Sequence, residues 1–355
     1  MRRAAGAARL SALLKELRRA ARGEVLEQQP LAQRTSVRVG GPARLWVRPC
    51  DPAALVEVLR ALSAAGVGWF SLGGGANTIV GDLGVEGAVL RLAQDFAAEE
   101  VEEGGDHVIV TLGAGAPIAR FLSLAKEQRG VGVAWAAGIP GTVGGLVAMN
   151  AGTPSGCMAD HLLAAEVALP DGLQWIEARH LRLSYRHCEL PRGAVLTRAR
   201  CRIRRGSDAE VVEQQRAAKA DVERRRQTQP LQQPNSGSVF VNPPGDFAGR
   251  LIESAGLKGK KQGGAQISER HANFIVNLGN ARAAEVIELI ALARETVLAK
   301  AGVELKPEVK LVGSFDPPLP PELRTHHVGL VCVASMPPPA VDLGDGKNSF
   351  LRVQP

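Results

Sequence analysis

The stretch Ala137-Gly138-Ile139-Pro140-Gly141-Thr142-Val143-Gly144-Gly145, followed by Asn150-Ala151-Gly152, decides how the rest of the chain is read. Five of these twelve positions are glycine. Glycine permits positive φ and close backbone approach, so such a loop can aim several N–H groups at one anion. A second loop of this character lies upstream at Gly73-Gly74-Gly75-Ala76-Asn77-Thr78, and a third, Gly113-Ala114-Gly115-Ala116, lies between the two. With 40 glycines in the chain, an ordinary turn explains any one of these loops. Three of them, each after a strand-like run, point to one large ligand carrying a pyrophosphate. No GxGxxG opens a helix and no GxxxxGKS/T occurs, which disfavours a Rossmann or P-loop site.

Outward from these loops the chain alternates strands and helices. Leu31–Ala43 reads as a strand that breaks at Gly40-Gly41-Pro42, and Asp51-Pro52 reads as an N-cap and first turn of a helix running to about Ala65. Strands are expected at Gly68–Leu72, Gly87–Arg91 and His107–Leu112, with a helix at Pro117–Gln128. Beyond Gly152 come short strands at Leu163–Ala168, Leu173–Ile176 and Val195–Ile203, then a connector helix over Ala209–Arg226. Pro230 and Pro234 break the chain before a helix at Phe247–Ser254 and a strand at Asn273–Asn277. Val286, Leu289, Ile290, Ala293 and Val297 fall on one face of a helix over Arg282–Lys300, and a strand over Val303–Val312 follows.

Composition narrows the class. A chain of 355 residues is too long for one ordinary core. Aromatics at 4% leave little for a base-stacking nucleic-acid surface. The net charge of +7 is uneven: residues 1–23 carry seven Arg/Lys against one Glu, and residues 179–226 carry fourteen against six acidic groups. Such segments draw in anionic ligands, though a solvated arginine face accounts for most of them. Five cysteines without a CxxC pair fit a reducing cytoplasm. No continuous apolar run suits a secretory signal or a membrane span. No cluster has metal-ligand spacing, so no metal is expected.

Seven motifs in order now resemble one family. They are Thr35-Ser36-Val37-Arg38-Val39-Gly40-Gly41-Pro42-Ala43, Gly73–Asn77, Ala137–Asn150, Ser184-Tyr185-Arg186, Gly237-Ser238-Val239-Phe240, His271-Ala272-Asn273-Phe274-Ile275-Val276-Asn277 and Pro307-Glu308-Val309. The family is UDP-N-acetylenolpyruvoylglucosamine reductase, in its compact form without a substrate-capping insertion, and the likeness spans Leu10 to Phe315. It implies an α+β fold: a vanillyl-alcohol-oxidase (PCMH)-type FAD-binding domain of two subdomains plus a smaller α+β substrate-binding domain. The implied division is the FAD-binding domain at 30–205 (subdomains about 30–95 and 96–205) and the substrate-binding domain at 206–315; ahead of them residues 1–29 read as a basic N-terminal helix ending near Gly23, and the Pro-rich 316–355, which has no counterpart in the family, reads as a flexible tail. It also implies non-covalent FAD, NADPH as reductant, UDP-N-acetylglucosamine enolpyruvate as substrate, UDP-N-acetylmuramate as product, and a cytoplasmic monomer with no nucleic-acid partner.

The resemblance assigns FAD to Gly73, Gly74, Gly75, Ala76, Asn77, Thr78, Gly113, Ala114, Gly138, Ile139, Pro140, Gly141, Thr142, Gly144, Gly145, Asn150, Ala151 and Gly152. Ala76 stands where the family often has serine, which removes one hydroxyl contact. Catalysis falls to Arg186, Ser238 and Glu308. Hydride addition to an enolpyruvyl ether builds negative charge beside the carboxylate, which a planar guanidinium can grip while a hydroxyl donates the proton. Taken singly, Ser238 reads as a turn residue, Arg186 as a surface arginine and Glu308 as an exposed carboxylate. Glu308 is expected to be protonated or paired with Arg186, because a bare carboxylate would repel the substrate's own. Tyr185, Asn235, Arg250, Lys261 and Gln266 are candidates for holding the sugar nucleotide, and His271 reads as structural. The competing readings are another FAD-dependent oxidase or dehydrogenase of the same fold and a flavin- or nucleotide-binding protein without chemistry.

Overall fold

The computed structural model describes residues 2–92, 96–324 and 327–328. Helix α1 (Arg2–Ala21) buries Leu13, Leu14, Leu17, Ala20 and Ala21 against α2 (Pro52–Ala64). Helix α1 ends close to the Gly23 stop read from the sequence, and the remainder of the 1–29 segment, Glu24–Pro30, is a strand antiparallel to Pro42–Arg48. Helix α2 starts as read: Asp51 accepts from the Ala54 N–H at 2.7 Å, with proline in the first turn. Pro42–Arg48 runs parallel to Val85–Leu90, and that strand runs parallel to Trp69–Ser71.

Leu31–Ala43 is not a strand. A 3-10 turn at Ala32–Arg34 leads into a loop in which Arg38 (φ 58°) and Gly40 (φ 117°) take positive φ, which no strand allows. Val37 and Val39 look strand-like in sequence because they are buried, but they are buried in the core of the C-terminal third. The strand proper begins at Pro42.

A larger antiparallel sheet holds the second half of the N-terminal lobe. Its strand order is Gly172–Glu177, Leu162–Leu169, Val195–Arg205, His107–Gly113, Glu99–Gly104, with Gly130–Val131 beside Val195–Arg205. Helices α3 (Ile118–Glu127) and α4 (Val143–Ala148) pack over it, and one apolar core runs from Leu13 in α1 to Ile203 in this sheet. The edge strand Glu99–Gly104 is acidic and was not foreseen; Glu100, Glu102 and Glu103 pair across the sheet with Arg198, Arg200 and Arg205.

Helix α5 (Asp208–Thr228) buries no side chain, yet it is docked. Gln214 donates to Gly130 O at 2.8 Å and accepts from Val133 N at 3.0 Å, while Arg225 donates to Gly138 O at 3.0 Å. The C-terminal third packs α6 (Ala248–Ser254) and α7 (Ala283–Ala301) around a second core with the sheet Lys261–Gln262, Ala265–Ile267, Ile275–Asn277. It is sewn to the N-terminal lobe. Lys310–Val312 runs parallel to Thr78–Val80, and Asp82 accepts from the first amides of α7 at Ala283 (2.8 Å) and Ala284 (2.9 Å). The segment expected to loosen from 316 is held over its described residues, 316–324 and 327–328. Leu319 and Leu323 are buried, α8 (Pro321–Arg324) forms, and His327–Val328 pairs with Lys310–Val312. Apolar anchors, invisible to a count of prolines, explain the difference. The rest of that tail, 329–355, lies outside the described residues.

Candidate active site

Two glycine loops meet at one wall of a cleft of about 790 Å³. Gly74 packs so closely on Gly141 that a Cβ would stand 2.8 Å from its Cα. Among the described residues the five consecutive amides of Gly73 to Asn77 donate to no protein acceptor, leaving a nest of N–H groups suited to a phosphate. Gly138 (φ 73°) and Gly141 (φ 125°) turn the second loop in conformations that disfavour a side chain. Thr142 then caps α4 through its hydroxyl, accepting from Gly145 N at 3.3 Å.

Not every candidate for FAD reaches the cleft. Gly74, Ala76, Gly138, Ile139, Pro140, Ala151 and Gly152 line it. Gly73, Gly75, Asn77, Thr78, Gly113, Ala114, Gly141, Thr142, Gly144, Gly145 and Asn150 are not part of its lining. Gly113 packs on Phe96 O, and Gly144 N donates to Ala114 O at 3.0 Å, so the third loop backs the second. Asn77 donates to Glu308 O at 3.2 Å, and Lys310 N returns a bond to Asn77 O at 3.0 Å. That exchange ties the first glycine loop to the strand bearing Glu308.

The same cleft gathers the three residues that the resemblance assigns to chemistry. Glu308 N donates to Val239 O at 2.8 Å, which sets Ser238 and Glu308 on adjoining segments; both line the cleft. Among the described residues the Ser238 hydroxyl has no hydrogen-bond partner. Arg186 reaches in from the turn after Ser184. Its Nη2 donates to Gly152 O at 2.7 Å, and its Nε lies 2.9 Å from Glu308 Oε1. The Nε–H is not aimed well enough at that oxygen for a hydrogen bond, so the contact is an ion pair. Both partners are largely covered, Arg186 at 20% and Glu308 at 17% side-chain exposure. Burial pushes the Glu308 carboxyl above the ordinary carboxylate range, with Arg186 and Lys310 pulling the other way. Lys310 is itself held low by burial.

The substrate candidates divide. Asn235 lines the cleft, but its side chain is engaged with Pro230 O, Gln233 O and Gly237 N. Tyr185 is 59% exposed, with the Arg186 guanidinium 5.0 Å from its ring centroid. Arg250 pairs with Asp246, Lys261 is exposed, and Gln266 is buried against Gly259 O and Glu269; none of the three lines the cleft. His271 sits edge-on to Phe274, with burial holding its imidazole low.

Sequence reasoning missed the cleft's charge. Arg34, Arg38, Arg91, Arg186 and Arg225 line it against one acid, Glu308. Burial, with Arg34 and Arg48 close by, lowers the Arg91 pKa; burial, with Arg224 nearby, lowers that of Arg225. Guanidinia kept this close in one cleft need anions, and FAD and a sugar nucleotide each bring a diphosphate. Arg34 and Arg38 sit in or beside the first motif, which was a usable signal. Arg225, on a helix read as a connector, carried none. Among the described residues no group of three or more His, Cys, Asp or Glu side chains is placed to hold a metal ion, and no helix is long and apolar enough to cross a membrane.

Comparison with known proteins agrees with this geometry. Residues 229–312 match the C-terminal domain of UDP-N-acetylenolpyruvoylglucosamine reductase, and residues 43–176 match the FAD binding domain family. The UDP-N-acetylenolpyruvoylglucosamine reductase of Anaeromyxobacter sp. (strain Fw109-5) is 52% identical over 300 residues, covering 84% of this chain and 92% of that one. The enzyme of the same name from Myxococcus xanthus (strain DK1622) is 50% identical over 292 residues, covering 82% and 93%. The crystal structure of UDP-N-acetylenolpyruvylglucosamine reductase from Thermus caldophilus superposes with a TM-score of 0.68 at 35% identity, covering 81% of this chain and 98% of that one. With its FAD-binding domain, its cationic cleft and this likeness over more than four-fifths of its length, the chain belongs to the UDP-N-acetylenolpyruvoylglucosamine reductase family of FAD-dependent oxidoreductases.

Proposed function

We propose that this chain reduces UDP-N-acetylglucosamine enolpyruvate to UDP-N-acetylmuramate with NADPH as reductant, and that Arg186, Ser238 and Glu308 carry the chemistry. The observation that supports this most is the convergence of those three residues, from three separate segments, on one cleft that the glycine loops also line. Bound FAD would supply the redox chemistry, passing a hydride drawn from NADPH to the terminal methylene of the enolpyruvyl ether. Gly74 and Ala76 of the first loop and Gly138, Ile139 and Pro140 of the second would hold its pyrophosphate, and Arg34, Arg38, Arg91 and Arg225 serve the diphosphates that enter the cleft. Arg186 grips the substrate carboxylate and stabilises the charge that builds on it as the double bond is reduced. Its pairing with Glu308 keeps the guanidinium in place until the substrate carboxylate competes for it. Glu308 is then left buried beside a second acid, which favours its protonated form and removes the repulsion. Ser238 donates the proton to the carbon next to the carboxylate.

The reading divides the chain into a flavin lobe over 30–205 and a substrate lobe over 206–315, with one chain supplying the whole site. A reducing cytoplasm suits it, since Cys50, Cys157, Cys188 and Cys201 are free thiols. The test is to reduce the purified yellow protein with NADPH without oxygen and then add the enolpyruvyl nucleotide. Return of the flavin colour with formation of UDP-N-acetylmuramate is expected. Colour that returns with oxygen alone, and not with the nucleotide, would put an oxidase in its place.

A further inference from the structure

Helix α4 ends at Ala148, Met149 caps it, and Asn150 follows with φ 36°. Asn150 N donates to Val147 O at 3.0 Å and Ala151 N donates to Leu146 O at 2.8 Å, the two bonds of a Schellman ending. Glycine is the residue this backbone favours, because a side chain there is crowded. An asparagine in its place directs attention to its carboxamide. That group is buried, and both of its halves are engaged inside the chain. Nδ2 donates to Ser184 O at 2.8 Å, and Oδ1 accepts from Ala159 N at 2.9 Å. Ser184 opens a four-residue turn closed by His187 N to Ser184 O at 3.0 Å and Ser184 N to His187 O at 3.1 Å. Arg186 is the third residue of that turn and takes φ 58°, a position that favours glycine or asparagine. This strained backbone is what sends the Arg186 guanidinium to Gly152 O and Glu308.

We infer that Asn150 is a positioning residue for Arg186. Standing at one end of α4, whose other end carries the Thr142 cap of the flavin loop, it fixes the turn from which Arg186 meets the substrate carboxylate. Its carboxamide serves Arg186 and not the cofactor, while Ala151 and Gly152 next to it line the cleft. The inference rests on the role given to Arg186 under Proposed function.

The test uses flavin-loaded protein and four variants: Asn150→Gly, Asn150→Asp, Arg186→Ala and the double variant Asn150→Gly with Arg186→Ala. Asn150→Gly keeps the backbone conformation and removes only the carboxamide. Asn150→Asp replaces the donor facing Ser184 O with a second oxygen. Flavin content, flavin reduction by NADPH and reoxidation by UDP-N-acetylglucosamine enolpyruvate are measured separately without oxygen. Flavin content and reduction are expected at parent levels. Reoxidation should fall about 10- to 100-fold, the scale of a misplaced catalytic group. The aspartate variant should be at least as slow as the glycine variant. Within the Arg186→Ala background, Asn150→Gly should add no further loss. Loss of flavin, equal slowing of both half-reactions, or a further loss in that background overturns the inference. If Arg186→Ala reoxidises at the parent rate, the reading of Arg186 falls and takes this inference with it. If Arg186→Ala is slow and Asn150→Gly is not, only the positioning role falls.

Discussion

Removing one oxygen atom separates chemistry from scaffolding at Ser238. The Ser238 side chain is half-buried, and among the described residues its hydroxyl has no hydrogen-bond partner. The strand contact beside it is made by backbone, Glu308 N to Val239 O, which Ser238→Ala leaves intact. No satisfied bond is lost and no buried group is orphaned, so stability should stay within about 0.5 kcal/mol of the parent. Losing a general acid costs roughly 10²- to 10⁴-fold in rate. At about 1.36 kcal/mol per tenfold, that is roughly 2.7–5.4 kcal/mol of transition-state stabilisation. The predicted change in barrier is therefore at least about five times the predicted change in stability. Stopped-flow absorbance without oxygen reads the two half-reactions in turn. Flavin reduction by NADPH should proceed at the parent rate, and reoxidation by the enolpyruvyl nucleotide should fall into the range above. Reoxidation within about threefold of the parent would show that another group delivers the proton. Equal slowing of both halves would make Ser238 a structural residue of its turn.

Three further outcomes follow from the same geometry. A carboxyl raised by burial, as Glu308 is, contributes stability that is full below its unfolded pKa of about 4.3 and is lost as pH rises through the higher folded value. The melting temperature of Glu308→Gln relative to the parent should therefore rise between about pH 4 and pH 8, and a flat difference across that window contradicts the direction assigned to Glu308. In Gly74→Ala the new Cβ would lie 2.8 Å from Gly141 Cα, backbone that cannot swing aside, so the flavin-to-protein absorbance ratio should drop; full flavin content would mean the loops do not jointly form the pyrophosphate site. Asp82→Ala removes two charge-assisted bonds to the start of α7 and should cost about 1.5–3 kcal/mol. Unfolding of the apoprotein measures that loss, and an unchanged transition would show that the two lobes do not depend on this clasp.

Local chemistry was legible wherever a short segment decides its own conformation. The cap and proline at Asp51-Pro52, the apolar face of α7 and the glycine loops were all readable, because each depends on neighbours within a few residues. Leu31–Ala43 was misread because its apolar residues serve a core built from residues more than two hundred positions away. The tail after Phe315 was misread for a different reason: Leu319 and Leu323 fasten to that same core, and burial by packing does not show in a count of prolines.

By itself the sequence determined the family and the order of the motifs, and it singled out Arg186, Ser238 and Glu308 as the residues proposed for the chemistry, because residue type and spacing survive without coordinates. Tertiary structure alone decided what those residues face. It put a buried Glu308 against Arg186, so that desolvation sets the protonation of the carboxyl. It brought Arg34, Arg38, Arg91 and Arg225 into the same cleft, turning scattered surface charges into one anion-binding field. It also turned the Asn150 carboxamide to Ser184 O, since a side chain's partner depends on where distant backbone passes and not on its own motif.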